Sequence, residues 1–427
     1  MTKRLIIIAI LLATGFLSQA QLKNIFNKVK NKTEQRADRK VDAEIDKALD
    51  KAEGKSTRSE SQPPVAAKET TTEPLADNSI KSYSRFDFIP GDSILYAEDF
   101  QQDAIGELPV NWNTSGSGEV TTLDKYSGNW LRLHKSFIYL SRNQKEFGEN
   151  YTVEFDLILQ LKNNGWMYPE FHFGLFASKD EPNAGNNFLK DYKKYASAIV
   201  SFFPGEFKST KIRMNSFLVN QAYFNGDNKA LEALEKSYGI PVHVAVQVQK
   251  ERFRMWVNEE KVFDMPKAIP AGSIMNQLFF QVGYTNYAEN QYGVFINNIK
   301  VATGKPDTRH KLIEEGKFST TGILFDFQSA VIKPESYAVI KEIAGVFKDN
   351  PGVKIKVVGH TSSDGDDNAN MELSKKRASA VKDLLVNEFG IDASRIETEG
   401  KGETQPIADN KTKEGKMANR RVEFIKL

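Results

Sequence analysis

The pattern of hydrophobic and polar positions divides the chain into differently built regions. Between residues 94 and 303, short runs rich in β-branched and aromatic residues include "YTVEFDLILQ", "VHVAVQVQ" and "YGVFINNIKVA". Several of these runs alternate apolar and polar positions, which is typical of strands with one buried face. Many short strands separated by turns predict an all-β sandwich, placed at residues 91–304. Within it, "MWVNEEKVF" predicts a hairpin that turns at Asn258-Glu259-Glu260.

From residue 317 the pattern alternates between strands and helices. The runs "GILFDF", "VKIKVVG", "RIETEG" and "RRVEFIKL" are predicted as strands. One helix opens at Pro334, since proline is favoured in a first turn, and a second runs from about Asn370 to Phe389. The order βαβαββ predicts an α+β domain at residues 317–427, with one layer of helices on one sheet.

The first ninety residues read as three further segments. Residues 1–20 have a charged start, a short apolar run and a small-residue cleavage site, which predicts a secretion signal; an uncleaved anchor is the alternative. Residues 21–53 predict a charged amphipathic helix whose basic end contacts anionic lipid or a partner helix, or is simply solvated. Residues 54–90, rich in Pro, Ser, Thr and Glu, predict a disordered linker.

Composition narrows the possible functions. The chain has no cysteine, which excludes disulfides, thiol catalysis, cysteine zinc sites and an acylated N-terminal cysteine, so we do not expect a lipoprotein. The histidines are far apart and show no metal-ligand spacing, and we expect neither a metal nor a cofactor. A formal net charge of +2 and the lack of a basic-aromatic run argue against nucleic acid binding. Nothing resembles the regularly repeated strands of a porin.

Three stretches in the α+β region resemble the OmpA-like C-terminal domain. They are "ILFDFQSAVIKPES", "VVGHTSSDGDDNANMELSKKRASAVKDLL" and "GIDASRIETEGKGETQPIADNKTKEGKMANRRVEF", which together cover about residues 323–424. The resemblance implies non-covalent binding of the diaminopimelate-containing stem peptide of peptidoglycan. In this family an aspartate after a His-Thr pair takes the ammonium group of diaminopimelate, and an arginine at the end of Leu-Ser-x-x-Arg takes its carboxylate.

Arg377 matches the family's arginine. It ends the run Leu373-Ser374-Lys375-Lys376-Arg377, and its fork of donors fits a carboxylate in two places. Leu373, Val381 and Leu385 share one helical stripe with Arg377, so a charge there needs a partner or a route to water. An arginine that lies along the edge of the core and reaches solvent is the alternative.

The family's aspartate is replaced here by Ser362. A serine hydroxyl accepts from an ammonium group but supplies no charge, so we expect weaker binding and expect Ser362→Asp to tighten it by about tenfold or more. Asp364 either takes over the ammonium or belongs to a solvated acidic loop. The resemblance places four further residues around the pocket: Thr361, Asn370, Asp326 and Gln328.

Three residues near the C-terminus have an open role. Asn419, Arg420 and Arg421 belong to the same resemblance. Their pattern is as consistent with fixing the terminal strand as with contacting the ligand.

The sandwich resembles a concanavalin-A-like or laminin-G-like jelly roll through "EDFQQDAIGELPVNW" and "GVFINNIKVA". Glu154 and Asp156 lie on one face of a strand and partly resemble the Glu-x-Asp-x-Glu strand of laminarinase-type glycosidases, but Ile158 stands where the third acid is needed.

Five aromatic residues are candidates for stacking on sugars, although core packing is the commoner fate: Trp112, Trp130, Trp166, Tyr168 and Tyr192.

These observations predict a non-enzymatic cell-envelope protein. We expect it to be exported to the periplasm and associated with the outer membrane and cell wall, where residues 317–427 bind peptidoglycan. The sandwich would present a second surface to a glycan or an outer-membrane protein. The alternatives are a wall-localised glycan hydrolase that uses the sandwich, and a structural subunit of an outer-membrane complex assembled through residues 21–53.

Overall fold

The computed structural model describes residues 87–142, 145–178, 187, 189–304 and 307–427. The predicted signal peptide (1–20), the charged helix (21–53) and the predicted linker up to residue 86 lie outside the described residues. Within this part of the chain, no helix is long and apolar enough to cross a membrane.

Strands are the main regular elements between residues 93 and 303. They are β1 (Ser93–Glu98), β2 (Asn113–Thr114), β3 (Gly118–Thr122), β4 (Asn129–Leu133), β5 (Ile138–Leu140), β6 (Asn150–Gln160), β7 (Phe171–Phe176), β8 (Ser197–Phe203), β9 (Lys211–Leu218), β10 (Gln221–Asn225), β11 (Lys229–Ala230), β12 (Val242–Gln249), β13 (Arg252–Val257), β14 (Glu260–Met265), β15 (Gln277–Val282) and β16 (Gly293–Thr303). A short helix, α1 (Glu232–Glu235), precedes β12.

These strands form two antiparallel sheets. Sheet A has the order β14-β13-β12-β6-β16-β4-β3, with β1 paired to β16, and sheet B has the order β10-β9-β8-β7-β15-β5-β2, with β11 paired to β9. The predicted strand-rich region is therefore confirmed as multiple antiparallel sheets. The hairpin at "MWVNEEKVF" joins β13 to β14, and Asn258 takes the positive φ of 50° that its tight turn requires.

The two sheets share one hydrophobic core. The ring of Phe155 on β6 lies 4.8 Å from that of Phe173 on β7 and 5.3 Å from that of Phe280 on β15. Alternation along each strand produces this arrangement: on β9, Ile212 and Met214 are buried between partly or fully exposed neighbours. The sheets therefore pack face to face through one side of each.

The C-terminal part has helices between strands. Its elements are α2 (Thr308–Ile313), β17 (Lys317–Thr320), α3 (Tyr337–Asp349), β18 (Ile355–His360), α4 (Asp367–Asn387), β19 (Ile396–Gly402), α5 (Lys413–Asn419) and β20 (Val422–Lys426). The sheet order is β17-β20-β18-β19, with β18 and β19 parallel. Ile340 and Phe347 of α3 share a buried cluster with Val381 and Leu385 of α4, which places both helices on this sheet.

The structure corrects the predicted order βαβαββ in two places. "GILFDF" is not a strand, because the chain folds back on itself there: Lys333 N donates to Leu324 O at 2.9 Å, and Asp326 N donates to Val331 O at 3.1 Å. The first strand is β17 instead. A helix that the pattern did not predict, α5, also lies between the last two strands, and the Thr412 hydroxyl caps it by accepting from Gly415 N at 3.0 Å.

The sandwich and the C-terminal part are in direct contact. Phe88, at the end of the predicted linker, is buried with its ring 5.3 Å from that of Trp256, in a cluster that includes Ala338 of α3. The Lys413 ammonium lies 2.6 Å from carboxylate oxygens of both Glu98 and Asp103. The chain is thus already packed at residue 88, before the predicted linker ends.

Candidate functional site

The loop between β18 and α4 is held at both ends. At its start, Thr361 N donates to Gly402 O at 2.9 Å, which ties the loop to the adjacent strand β19. At its end, the Asp366 carboxylate accepts from Ala369 N at 2.9 Å and caps α4. This cap starts α4 three residues before the predicted Asn370, so the acidic stretch belongs to the helix entrance.

Asn370 fixes the loop from beneath. Its buried Nδ2 lies 3.1 Å from Asp364 O, 3.4 Å from Ser362 O and 2.8 Å from Glu403 Oε2. Thr361 is also buried, and its Oγ1 has no hydrogen-bond partner among the described residues. Asn370 therefore supports the loop, whereas Thr361 leaves a polar atom unused beneath it.

Ser362 and Asp364 act together. The Ser362 hydroxyl, which is buried, donates to Asp364 Oδ2 at 2.9 Å, and the Lys416 ammonium lies 2.5 Å from Asp364 Oδ1. Partial burial opposes ionisation, but the hydrogen bonds from Lys416 and Ser362 outweigh it and lower the pKa of Asp364. An ionised, 44% exposed carboxylate is therefore oriented at the loop surface.

Arg377 is a largely buried cation whose contacts are all uncharged. Its Nε donates to Ser329 O at 2.9 Å, and its guanidinium lies 4.8 Å from the centre of the Phe325 ring. In the part of the chain that the structure describes, no carboxylate lies within 4.0 Å of it. Burial, and then repulsion from Arg420, lower the pKa of Arg377 to about 10. Among the described residues Arg377 thus has no anionic partner, and a carboxylate from outside the protein would supply one.

Asp326 and Gln328 lie in the loop that contacts Arg377. Both side chains are exposed, and Gln328 has a φ of 50° in the tight return towards Val331. Ser329 N donates to Asp326 O at 3.1 Å, so this turn presents the Ser329 carbonyl to Arg377. The loop that carries Asp326 and Gln328 thus contacts Arg377 through a backbone carbonyl, that of Ser329.

The comparisons with known proteins concern this same region. The family model described as the OmpA family matches residues 324–420. These residues form an OmpA family domain. The outer membrane porin F of Pseudomonas aeruginosa is 48% identical over 101 residues, which are 24% of this chain and 29% of that protein. The peptidoglycan-binding protein ArfA of Mycobacterium bovis is 36% identical over 103 residues, 24% of this chain and 31% of that protein.

A solved structure is also similar to part of this chain. The peptidoglycan-associated lipoprotein from Burkholderia pseudomallei shares 27% identity with a TM-score of 0.23, covering 26% of this chain and 89% of that one. The chain spans less than a third of the length of the two curated relatives named above.

Sequence reasoning missed Lys416, which lies in the OmpA family domain and contacts Asp364. It lies on α5, and because that helix was not predicted, nothing indicated that Lys416 would reach Asp364. The structure also distinguishes the roles of Asn419 and Arg421, which the sequence left open. Buried Asn419 braces the preceding loop by accepting from Ile407 N at 2.8 Å, and Arg421 lies 2.7 Å from Glu423.

Arg420 links the OmpA family domain to the sandwich. Its guanidinium donates to Asp99 Oδ2 at 2.9 Å. It also acts electrostatically on both halves of the candidate site, because it helps to lower the pKa of Asp364 and that of Arg377. The sandwich therefore supplies a carboxylate that holds a cation beside the site.

The carboxylates considered for glycoside hydrolysis lie in a buried ion cluster. His243 Nδ1 lies 2.8 Å from Asp156 and its Nε2 lies 3.4 Å from Glu154, while Lys300 lies 2.7 Å from Glu154 and Lys333 of the C-terminal part 3.4 Å from Asp156. Burial opposes ionisation, but these cations outweigh it and lower the pKa of both carboxyls. A general acid needs a raised pKa, so the cluster is not suited to that role.

The candidate sugar-stacking aromatics separate by exposure. Trp112 and Trp130 are buried in the sandwich, as is usual for such residues. The Tyr168 hydroxyl donates to Glu206 at 2.5 Å and is half-buried. Trp166 is 56% exposed. The side chain of Tyr192 lies outside the described residues.

Proposed function

We propose that this protein is a non-enzymatic component of the cell envelope that binds the stem peptide of peptidoglycan without covalent chemistry. The OmpA family domain would hold the amino acid end of diaminopimelate, and the contacts between domains would keep the sandwich close to the wall. Two relatives support this proposal: one is named an outer membrane porin and the other a peptidoglycan-binding protein. We place the protein in the periplasm, associated with the outer membrane and cell wall.

The uncompensated charge of Arg377 is the observation that carries the proposal. A guanidinium that is mostly withdrawn from water, repelled by Arg420 and given only a carbonyl and an aromatic ring is electrostatically incomplete. A ligand carboxylate would supply two charge-assisted hydrogen bonds to its fork. Binding would therefore remove an unfavourable feature of the free protein.

Asp364 is the proposed partner for the ammonium group. Ser362, at the family's aspartate position, donates a hydrogen bond that orients this carboxylate. The Lys416 ammonium already contacts Asp364 and occupies one side of it. A ligand ammonium would share the carboxylate with Lys416 or displace it, so we propose that the charged acceptor has moved by two residues along the loop.

Sedimentation of the full chain with purified sacculi tests this proposal. Arg377→Ala should reduce the bound fraction severely, and Arg377→Lys should restore it only in part because an ammonium lacks the fork. Lys376→Ala is the matched control, since it removes an exposed cation from the same helix. Binding by a correctly folded Arg377→Ala variant at the level of the Lys376→Ala control would refute the role.

For the sandwich, we propose a concanavalin-A-like or laminin-G-like jelly roll that presents a second binding surface. A glycan or an outer-membrane protein is its proposed partner. The lowered pKa values at Glu154 and Asp156 argue against the glycan hydrolase alternative. Assembly into an outer-membrane complex through residues 21–53 is the remaining alternative, and pull-downs with and without those residues would separate it from a free anchor.

A further inference from the structure

Large apolar side chains project from three loops at one end of the sandwich. Trp166 and Met167 lie between β6 and β7, Phe207 between β8 and β9, and Tyr284 between β15 and β16; they are 56%, 88%, 93% and 74% exposed. Strand pairing brings the loops together, because the start of β7 pairs with the end of β8 and with the end of β15. We refer to these four residues as the apolar tips.

The loops that carry the apolar tips are braced against one another. The Glu206 carboxylate accepts from Asn163 Nδ2 at 2.6 Å and from the Tyr168 hydroxyl at 2.5 Å, which joins the first loop to the second. The Thr285 hydroxyl donates to Met167 O at 2.8 Å, which joins the first loop to the third. The tips are therefore held in place before any partner arrives.

Phe207 is displayed at the expense of backbone strain. It has a φ of 56° and the following Lys208 a φ of 67°, both in the left-handed region that bulky residues avoid. Lys208 N donates to Glu235 Oε2 at 2.9 Å, and Glu206 N donates to Ser209 Oγ at 3.0 Å, which holds this conformation. Strain that keeps an apolar ring in water is a mark of a functional surface.

The backbone of the first loop is already hydrogen-bonded at its tip. Gly165 N donates to Asn163 Oδ1 at 2.8 Å, and Trp166 N donates to Asn164 Oδ1 at 3.3 Å. The Trp166 carbonyl accepts from the Tyr287 hydroxyl at 3.4 Å. A loop can enter an apolar medium only if its backbone groups find partners within the protein. The three backbone groups named above have such partners.

We propose that the apolar tips insert into the interfacial region of a lipid bilayer. Side chains as exposed as Met167 and Phe207 stand clear of the protein, and a bilayer surrounds such side chains on all sides. A sugar ring would cover only one face of each. Trp166 and Tyr284 are less exposed and would lie nearer the headgroups, where amphipathic aromatic rings are enriched.

Charges of both signs lie around the tips: Glu170, at the end of the first loop, has a side chain that is 50% exposed, and two lysines lie nearby. Lys162 is exposed beside the first loop, and Lys208, 78% exposed at the second, has only a distant contact of 3.8 Å with Glu232. Lysines that flank apolar tips are attracted to the phosphates of anionic lipids. This inference rests on the proposed function only in placing the protein beside the outer membrane.

Tryptophan fluorescence tests the inference directly. Of the four tryptophans in the sequence, Trp112, Trp130 and Trp256 are buried, so Trp166 reports the environment of the loops. The probe is vesicles of phosphatidylethanolamine with phosphatidylglycerol, with and without brominated acyl chains. With these vesicles the fluorescence of the full-length protein should shift to the blue, and the brominated acyl chains should quench the Trp166 emission. Attachment through residues 21–53 alone would leave Trp166 in water.

The double variant Met167→Ser, Phe207→Ser should lower the vesicle partition coefficient by about tenfold or more. Val110→Ser, at a site 89% exposed in another loop, is the matched control and should bind normally. Arg377→Ala should lose sacculi yet keep vesicles, so the two proposals fail separately. The inference is overturned if vesicles cause no blue shift of the tryptophan fluorescence, or if the folded double variant binds vesicles as well as the wild type does. It is also overturned if stem-free glycan strands produce the blue shift and vesicles do not.

Discussion

Replacing Asp364 with asparagine would test the proposed relocation of the charged acceptor. The change keeps the shape of the side chain and its ability to accept from Ser362, but removes the charge that faces Lys416. If Asp364 receives the ligand ammonium, the variant retains the carboxylate half of the clamp at Arg377 and loses the ionic part of the other half. We therefore expect weaker binding with an intact fold.

The size of the effect follows from the contacts. A hydrogen bond to a charged group contributes about 1.5–3 kcal/mol, which corresponds to roughly ten- to a hundredfold in affinity. The Lys416 ammonium already neutralises part of the Asp364 charge, so we expect the lower end, about tenfold. The ion pair itself is exposed on one side, and losing it should change the free energy of unfolding by about 1 kcal/mol or less.

Isothermal titration with a diaminopimelate-containing stem peptide would measure this change in the full-length protein. Asp367→Asn is the matched control, because it removes an exposed negative charge from the same stretch without touching Ser362 or Lys416. Equal affinities for the wild type, the control and Asp364→Asn would refute the proposal that Asp364 takes the ammonium. A tenfold loss of affinity in Asp367→Asn as well would show that the effect comes from the overall charge of the loop and not from Asp364 itself.

Two further predictions concern charged contacts. Ser362→Asp should gain little affinity in the same titration. The new carboxylate would face Asp364 at about the 2.9 Å now spanned by a hydrogen bond, and two carboxylates that lie so close do not both ionise readily. A tenfold gain in affinity would contradict this prediction and restore the expectation from sequence. Burial opposes the charge on His243, but Asp156 and Glu154 outweigh it and raise the pKa of His243 to about 9. The stability it contributes should be complete below its unfolded pKa of about 6.5 and lost as the pH rises through about 9, by on the order of 1–3 kcal/mol. Chemical denaturation from pH 6 to about 10 should show this slope in the wild type and a flatter one in His243→Gln.

The sequence was sufficient where a pattern reports on one element and its immediate burial. Period-two runs predicted strands such as β6 and β12, because one face of each is buried against the opposite sheet. Arg377 became a candidate through the resemblance to the family's Leu-Ser-x-x-Arg motif, and helical spacing supported it by placing it on a stripe with Val381 and Leu385, both of which are buried. The OmpA family domain was also recognisable, because its motif residues are closely spaced along the chain.

Tertiary structure decided whatever depends on partners distant in sequence. "GILFDF" has a strand-like composition, but hydrogen bonds to Val331 and Ser336 fold it into a turn. Lys416 lies 52 residues from Asp364, and no local pattern could pair them. Asp99 and Arg420 are 321 residues apart, so the contact between the sandwich and the candidate site was hidden as well.

The two carboxylates on β6 show the same division. Alternation along the strand correctly put Glu154 and Asp156 on one face, because successive side chains point to opposite sides of a sheet. The sequence of the strand does not show which groups contact that face: His243 comes from β12, Lys300 from β16 and Lys333 from the C-terminal part. The sequence determined which side chains point together, whereas the packing of distant segments determined their charge environment, because electrostatic energy depends on distance through space and on burial.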